Sequence, residues 1–328
     1  MFLSFIIPIY NCETYVASCL DGIISAGLAT DEFEVVLIDD GSTDGSARIC
    51  KEYERQHSNI RYIFQKNQGP ATARNKGLEI AKGDYVWFVD ADDSIEPKIV
   101  SVLKNLIVAD PLIDMVSFSY ISQYPDHKEQ HEQVASSYVC SGLEYLYQQK
   151  DGSYLWNHIY KRTSIGETRF LDGVSHIEDT CFNVQTMMRF ARVAVVPDVG
   201  YYYNRCNLQS ISQNRQLRDR VKANADSFLV YQTLQKEMEC AALEQRKYLE
   251  KELNFSINAH LYTIMRFDNV RTLKRYVNDY QRMGLYPLKP TGNAKSDLFL
   301  WLSNRKSLMF LIMRVGISVK NKRKKYKV

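Results

Sequence analysis

At 328 residues, with 45% apolar and 24% charged side chains, the chain has room for one large domain or two modest ones, and wholesale disorder and collagen-like structure are excluded. The net charge of +4 is unevenly placed: residues 320–328 (KNKRKKYKV) carry six Lys/Arg and no acid, which leaves the other 319 residues at −2. A near-neutral body with a cationic tail excludes a general nucleic-acid binder.

The chain opens on a short apolar run, Phe5-Ile6-Ile7-Pro8-Ile9, which predicts a strand and, with no basic leader, no signal peptide. Val16, Cys19, Leu20, Ile23 and Ile24 follow at helical spacing. Glu34 opens a second strand, Val35-Val36-Leu37-Ile38, which stops at Asp39-Asp40-Gly41-Ser42. Residues 60–64 predict a third strand, 71–82 a helix with Gly83 as a left-handed cap, and 85–89 a fourth strand that ends in Asp90-Ala91-Asp92-Asp93. Continuous apolar strands alternating with amphipathic helices imply a parallel sheet covered on both faces.

From about 115 to 215 the pattern is mixed and rich in aromatic residues. Beyond 215, Leu217, Val221 and Phe228, then Leu253, Ile257, Leu261 and Ile264, predict helices. Pro287, Pro290 and Gly292 mark a break before a last amphipathic stretch, 298–319. No run of 18 apolar residues occurs, so no spanning helix is expected. Seven cysteines without a CxxC pair predict reduced thiols and a cytoplasmic chain, not a disulfide framework or a zinc ribbon.

The acids cluster where strands end, and in open α/β sheets ligands bind in the crevice beyond those ends. An Asp after the second strand can accept from a base imide or a ribose hydroxyl. Two carboxylates spaced as Asp-x-Asp can hold a hard divalent cation, which neutralises a diphosphate. The competing reading is that these residues cap helices and form turns, the commonest work of Asp.

Four motifs in order, Ile7-Pro8-Ile9-Tyr10-Asn11, then the run from Val36 through Asp39-Asp40-Gly41-Ser42-Thr43-Asp44, then Asn67-Gln68-Gly69 with Ala73-Arg74-Asn75, then Gly83-Asp84-Tyr85 leading to Asp90-Ala91-Asp92-Asp93, resemble family 2 glycosyltransferases of the GT-A fold. The resemblance implies an α/β, Rossmann-like GT-A domain over 1–215, with a nucleotide-sugar half (1–110) and an acceptor half (111–215). A mainly helical region, 216–328, follows. It also implies that Pro8 and Tyr10 line the base pocket, Tyr10 by stacking, and that Asp40 bonds the base with Asp39 beside it. Asp90 would approach the ribose and join Asp92 at a divalent metal, Mn²⁺ or Mg²⁺, under the diphosphate. Arg74 and Asn75 would support the Asp-x-Asp strand.

In the second half, Glu178-Asp179 resembles the acidic pair of the family's capsule and exopolysaccharide branch, although His176 is separated from it here by Ile177. The resemblance implies that Asp179 is the base of an inverting transfer, with Glu178 as its neighbour, because one carboxylate suffices to take the acceptor's proton. A helix N-terminus favouring acids is the competing reading. Trp156, Lys161, His176 and Arg205, with Arg162 and the Gln209-Ser210-Ile211 run, are candidates for acceptor or phosphate contact, and surface charge or core packing is their alternative.

The expected partners are a nucleotide-diphosphate sugar, taken as a UDP-sugar on the resemblance alone, and a glycan acceptor on a lipid carrier. Leu308, Leu311, Ile312, Val315 and Val319 form an apolar stripe just before the basic tail, the pattern of a helix lying in a membrane interface. A core helix with a solvated tail fits the same stripe. Against the enzyme stand a non-catalytic subunit that binds nucleotide or glycan, and a nucleotidyltransferase. The latter would need a glycine-rich loop where this chain has Tyr10-Asn11-Cys12-Glu13. No GxGxxG follows a strand, which excludes a dinucleotide oxidoreductase.

Overall fold

The computed structural model describes residues 1–149, 154–207, 217–290 and 304–305. The chain divides into two compact units, Met1–Asp219 and Arg220–Val328. The first opens with β1 (Leu3–Ile9), α1 (Val16–Ile24), β2 (Phe33–Asp39), α2 (Ser46–Gln56), β3 (Ile60–Phe64), α3 (Pro70–Ile80) and β4 (Tyr85–Phe88) in strict alternation. These four strands pair in parallel in the order β3-β2-β1-β4.

Burial on both faces explains the unbroken apolar runs. Phe5, Val35, Leu37 and Trp87 pack on one face with Val16, Cys19, Leu20 and Ile23 of α1, while Val36, Ile38 and Ala73 pack on the other. The helix α2 has no counterpart in the sequence reading, because only Ser46 and Cys50 of its residues are buried and its apolar stripe is correspondingly sparse.

The expectation of a left-handed Gly83 is corrected. The helix α3 ends on an extended Ala81, and Gly83 keeps an ordinary backbone. Glycine is needed there for space: a Cβ would lie 2.6 Å from Ser4 N and 2.8 Å from the Leu3 carbonyl carbon.

The second half of this unit adds β5 (Ser94–Ile95), α4 (Ile99–Ala109), β6 (Met115–Gln123), β7 (Lys128–His131), β8 (Tyr138–Cys140), α5 (Gly142–Gln148), β9 (His158–Lys161), α6 (Arg162–Ile165), α7 (Glu178–Met187) and β10 (Val193–Asn204). The sheet becomes mixed: β9 runs antiparallel between β4 and β6, and β6 pairs in parallel with the long β10. The end of β10 folds back on β5, with Tyr201 opposite Ile95 and Tyr202 opposite Ser94. That pairing carries residues 201–204 beside the acidic turn after β4.

The second unit takes in α8 (Leu217–Cys240) from Arg220 onward, with α9 (Leu243–Phe267) and α10 (Val270–Arg282). Leu253, Ile257, Leu261 and Ile264 are buried, with Leu273, Tyr276, Val277 and Tyr280 of α10. In α8 the buried apolar positions among the described side chains are Val230, Tyr231 and Leu234, whereas Val221 of the expected stripe is exposed. His260 is held at both ring nitrogens, by Tyr280 Oη at 2.6 Å and Asn224 Oδ1 at 3.1 Å, so its burial is satisfied. Among the described residues no helix is long and apolar enough to cross a membrane. The stretch 298–319 and the tail 320–328 lie outside the described residues apart from 304–305, as do Gln209, Ser210 and Ile211.

Candidate active site

Parallel pairing aligns the C-terminal ends of the strands: Ile9 lies opposite Asp39, and Asp39 opposite Phe64. The two loops that leave β1 and β2 hold each other. Asn11, in the left-handed conformation that Asn tolerates, accepts from Thr43 N (2.8 Å). Cys12 N donates to Ser46 Oγ (2.9 Å), and Gly45 N to Glu13 Oε2 (2.6 Å). Tyr10 stands on this braced edge with its side chain exposed, beside a half-buried Pro8.

Asp39 and Asp40 are both buried and both used within the chain. Asp39 accepts from Ser42 N (2.8 Å) and Tyr62 Oη (2.6 Å). Asp40 accepts from Gln65 Nε2, Gln68 N and Gly69 N, each at 2.8 Å. Asp40, the expected base contact, thus also serves the chain itself. Through these three donors it fixes the 65–69 segment that leads into α3.

The centre of the site is Arg74. Its guanidinium, 7% exposed, donates to Glu178 Oε1 (2.8 Å) and Asp90 Oδ1 (2.9 Å) and lies 3.5 Å from Asp179 Oδ1. Three carboxylates around a buried cation hold its pKa far above the usual range despite desolvation. Arg74 thus ties the turn after β4 to the start of α7, beneath the Asp-x-Asp strand end that it was expected to support. Asn75, one residue on, clamps the same junction. Its Oδ1 accepts from Phe170 N and its Nδ2 donates to Phe170 O, both at 2.9 Å.

Glu178 and Asp179 differ in setting. The Glu178 side chain is 10% exposed and tightly paired, whereas Asp179 is 25% exposed and only loosely paired. Burial, then the charge of Glu178, pushes the Asp179 carboxyl well above its ordinary range, against the opposing pull of Arg74. Ile177, immediately before them, has φ 56°. A β-branched residue in the left-handed region is strained by about 1–3 kcal/mol, and here the turn aims α7 at Arg74.

The acids of the Asp-x-Asp turn also divide. Asp93 is buried and structural, accepting from Tyr201 Oη (2.8 Å) and Asn204 N (2.7 Å). Asp92 faces a cavity of about 210 Å³ lined by Tyr15, Ser18, Gln123, Tyr202 and Cys206 among others. Burial and the neighbouring Asp90 raise the Asp92 pKa.

Of the remaining candidates, Trp156 is corrected: it is 3% exposed, stacked on Tyr201 and Tyr154 at 4.6 Å each, and cannot meet an acceptor. Lys161 and Arg162 are corrected too. The antiparallel run of β9 sets Lys161 opposite Tyr85, at the start of β4 and away from the acidic turn. Lys161 Nζ donates to Pro111 O (2.7 Å), and Arg162 Nε to Gly83 O (2.7 Å). His176 is exposed ahead of α7. Arg205 lies just beyond β10, its guanidinium over the Tyr203 ring and donating to Tyr203 Oη (3.0 Å).

Residues 4–182 match the family described as "Glycosyl transferase family 2". The chain belongs to that family. It is 31% identical over 270 residues to the "Putative glycosyltransferase EpsH" of Bacillus subtilis (strain 168), covering 79% of this chain and 74% of that protein. Its fold matches S. aureus TarS 1–349 in complex with UDP-GlcNAc, with TM-score 0.74 and 20% identity over 96% of this chain and 92% of that one. It also matches the mannosyltransferase PcManGT from Pyrobaculum calidifontis in complex with GDP-Man and Mn²⁺, with TM-score 0.53 and 17% identity over 97% and 86%. The mixed sheet with its acidic turn after β4 is the GT-A arrangement of these transferases.

Within this glycosyltransferase, no three His, Cys, Asp or Glu side chains converge as a metal cage among the described residues. The donor set nevertheless fits a hard cation of the Mg²⁺ or Mn²⁺ kind. Such ions keep several waters and need only one or two carboxylates beside substrate phosphates. Asp92 and Asp90 would supply those, and the repulsion of Asp90 on Asp92 is what a cation would relieve.

Proposed function

We propose that this glycosyltransferase moves a sugar from a UDP-sugar to a lipid-linked glycan in one inverting displacement, with Asp179 as base. The observation that carries the reading is Arg74, which holds Asp90 on the donor side and Glu178 and Asp179 on the acceptor side through one guanidinium. The acceptor hydroxyl oxygen attacks the anomeric carbon, the bond to the diphosphate oxygen breaks with its electron pair, and the hydroxyl proton passes to Asp179. Glu178 stays paired with Arg74 and keeps Asp179 basic. Asp92 and Asp90 would hold Mn²⁺ or Mg²⁺, which would supply neutralisation of the charge that develops on the leaving diphosphate. Tyr10 and Pro8 would receive the base.

The UDP choice draws on TarS, whose complex holds UDP-GlcNAc, and the polysaccharide setting draws on the resemblance of Glu178-Asp179 to the acidic pair of the capsule and exopolysaccharide branch. Calorimetric titration of UDP, with and without Mn²⁺, tests the donor half. Micromolar binding that weakens sharply without metal, and equally in Asp92→Asn, is expected. Tight metal-independent binding, unchanged in Asp92→Asn, would remove the metal from the reading.

The acceptor's lipid would bring the chain to the cytoplasmic membrane face, where the stripe from Leu308 to Val319 and the six cations of 320–328 match an anionic surface. Each cation near such a surface contributes about 1 kcal/mol. Deleting 320–328 is expected to release the protein from anionic vesicles in a sedimentation assay, and salt should have the same effect. Undiminished sedimentation of the shortened chain would dismiss the tail as an anchor.

A further inference from the structure

The acidic turn is not open on every side. Asn207 Nδ2 donates to Asp92 Oδ2 at 2.8 Å. The placement of that amide is built by the residues before it. Asn204 N donates to Asp93 Oδ1 (2.7 Å), Asn204 Nδ2 donates to the Asp92 carbonyl (3.0 Å), and Asn204 Oδ1 accepts from Cys206 N (2.9 Å). The last is an Asx-turn, which reverses the chain and returns residue 207 to Asp92. Arg205 N and Cys206 Sγ anchor the same turn on Gln123 O, at 2.8 and 3.6 Å. Five contacts thus seat one side-chain amide on the carboxylate that the proposed reaction assigns to the cation.

We infer that Asn207 competes with the divalent cation for the Asp92 carboxylate, so that it sets how tightly the metal is held before the nucleotide arrives. The inference rests on the metal assignment proposed above. An amide N–H offers only a partial positive charge, but it is already in place and costs no dehydration. A Mg²⁺-type ion gives up bound water reluctantly. A carboxylate oxygen that accepts 2.8 Å from an amide cannot lie at about 2.1 Å from a metal along the same lone pair. Diphosphate oxygens add ligands to the cation and shift the competition in its favour, so metal and nucleotide bind better together than either does alone.

The test is titration of Mn²⁺ alone, read as free Mn²⁺ by electron paramagnetic resonance, on the full chain. Asn207→Ala is expected to bind Mn²⁺ about tenfold more tightly than wild type, the scale of one hydrogen bond to a charged group. Asn204→Ala, which removes the turn and not the amide, should shift affinity in the same direction. Should either variant fold poorly, wild-type protein suffices: Mg²⁺ should move the Asn207 side-chain amide NMR signals towards free-amide positions. Equal or weaker Mn²⁺ binding in Asn207→Ala, or amide signals indifferent to Mg²⁺, overturns the inference. Asp92→Asn separates the two readings. If it binds Mn²⁺ as wild type does, the metal assignment itself is wrong. If it loses Mn²⁺ while Asn207→Ala behaves as wild type, only the competition is wrong.

Discussion

Asp179→Asn is expected to lower kcat by about 10²–10⁴-fold, the usual contribution of a general base, while leaving the affinity for UDP within twofold of wild type. The asparagine keeps the shape of the side chain and removes the one group that takes the acceptor's proton. Donor affinity should survive because Asp92, Tyr10 and Pro8 are untouched. Glu178→Gln should behave differently. It removes the charge that, after burial, most raises the Asp179 pKa, and it frees Arg74 to lower that pKa further. A base must be deprotonated, so kcat/KM falls as pH drops through the raised Asp179 value, which lies above the ordinary ~4 of an aspartate. In Glu178→Gln that acid limb should move to lower pH, with a smaller loss of kcat than Asp179→Asn shows. A pH–rate profile of the three proteins checks this. Normal turnover by Asp179→Asn would place the base elsewhere, and an unmoved limb would deny the coupling of the pair.

The parts of this architecture that were legible from residues alone are those written locally. Buried parallel strands need unbroken apolar runs, so β1, β2, β3 and β4 could be located within two residues of their ends, and the acids at those ends marked the crevice. Side-chain roles were less legible, because each depends on partners far along the chain. Arg74 reads as a helix residue near the donor site, yet its carboxylates come from 16, 104 and 105 positions away. Trp156 is a candidate for acceptor or phosphate contact until Tyr154 and Tyr201 are seen to cover it, and only the density of tyrosines around 154 and 201 hinted at a core stack. Lys161 was misplaced by strand direction, which no local pattern records: an antiparallel β9 puts its end at the opposite edge from the acids. Asp39 and Asp40 show a role that no local pattern records. Their motif identified the family, but their own oxygens serve the loops that shape the pocket.

Arg74→Met is expected to be the most damaging single change in the molecule. Methionine fills similar volume and removes the charge, so Asp90, Glu178 and Asp179 would face one another with no buried cation between them. Breaking a buried ion cluster by deleting one partner costs about 3–5 kcal/mol, which for a chain of this size lowers Tm by roughly 10 °C. The sign of the pH dependence follows from the carboxylates left behind. Without Arg74 their folded-state pKa values rise above those of the unfolded chain, so the deficit is full above the raised values. It should shrink as falling pH protonates them and vanish below ~4, where folded and unfolded chains are protonated alike. Thermal melts of variant and wild type between pH 4 and 8 measure that convergence. Arg74→Lys should recover part of the stability and little of the activity. A lysine supplies the charge, but as a single point it cannot reach Asp90 and Glu178 in the fixed fork that joins donor side to base. A deficit in Arg74→Met that stays constant with pH would mean that packing, not charge, is what this arginine contributes. Full turnover by Arg74→Lys would show that the base needs no such fork to hold it.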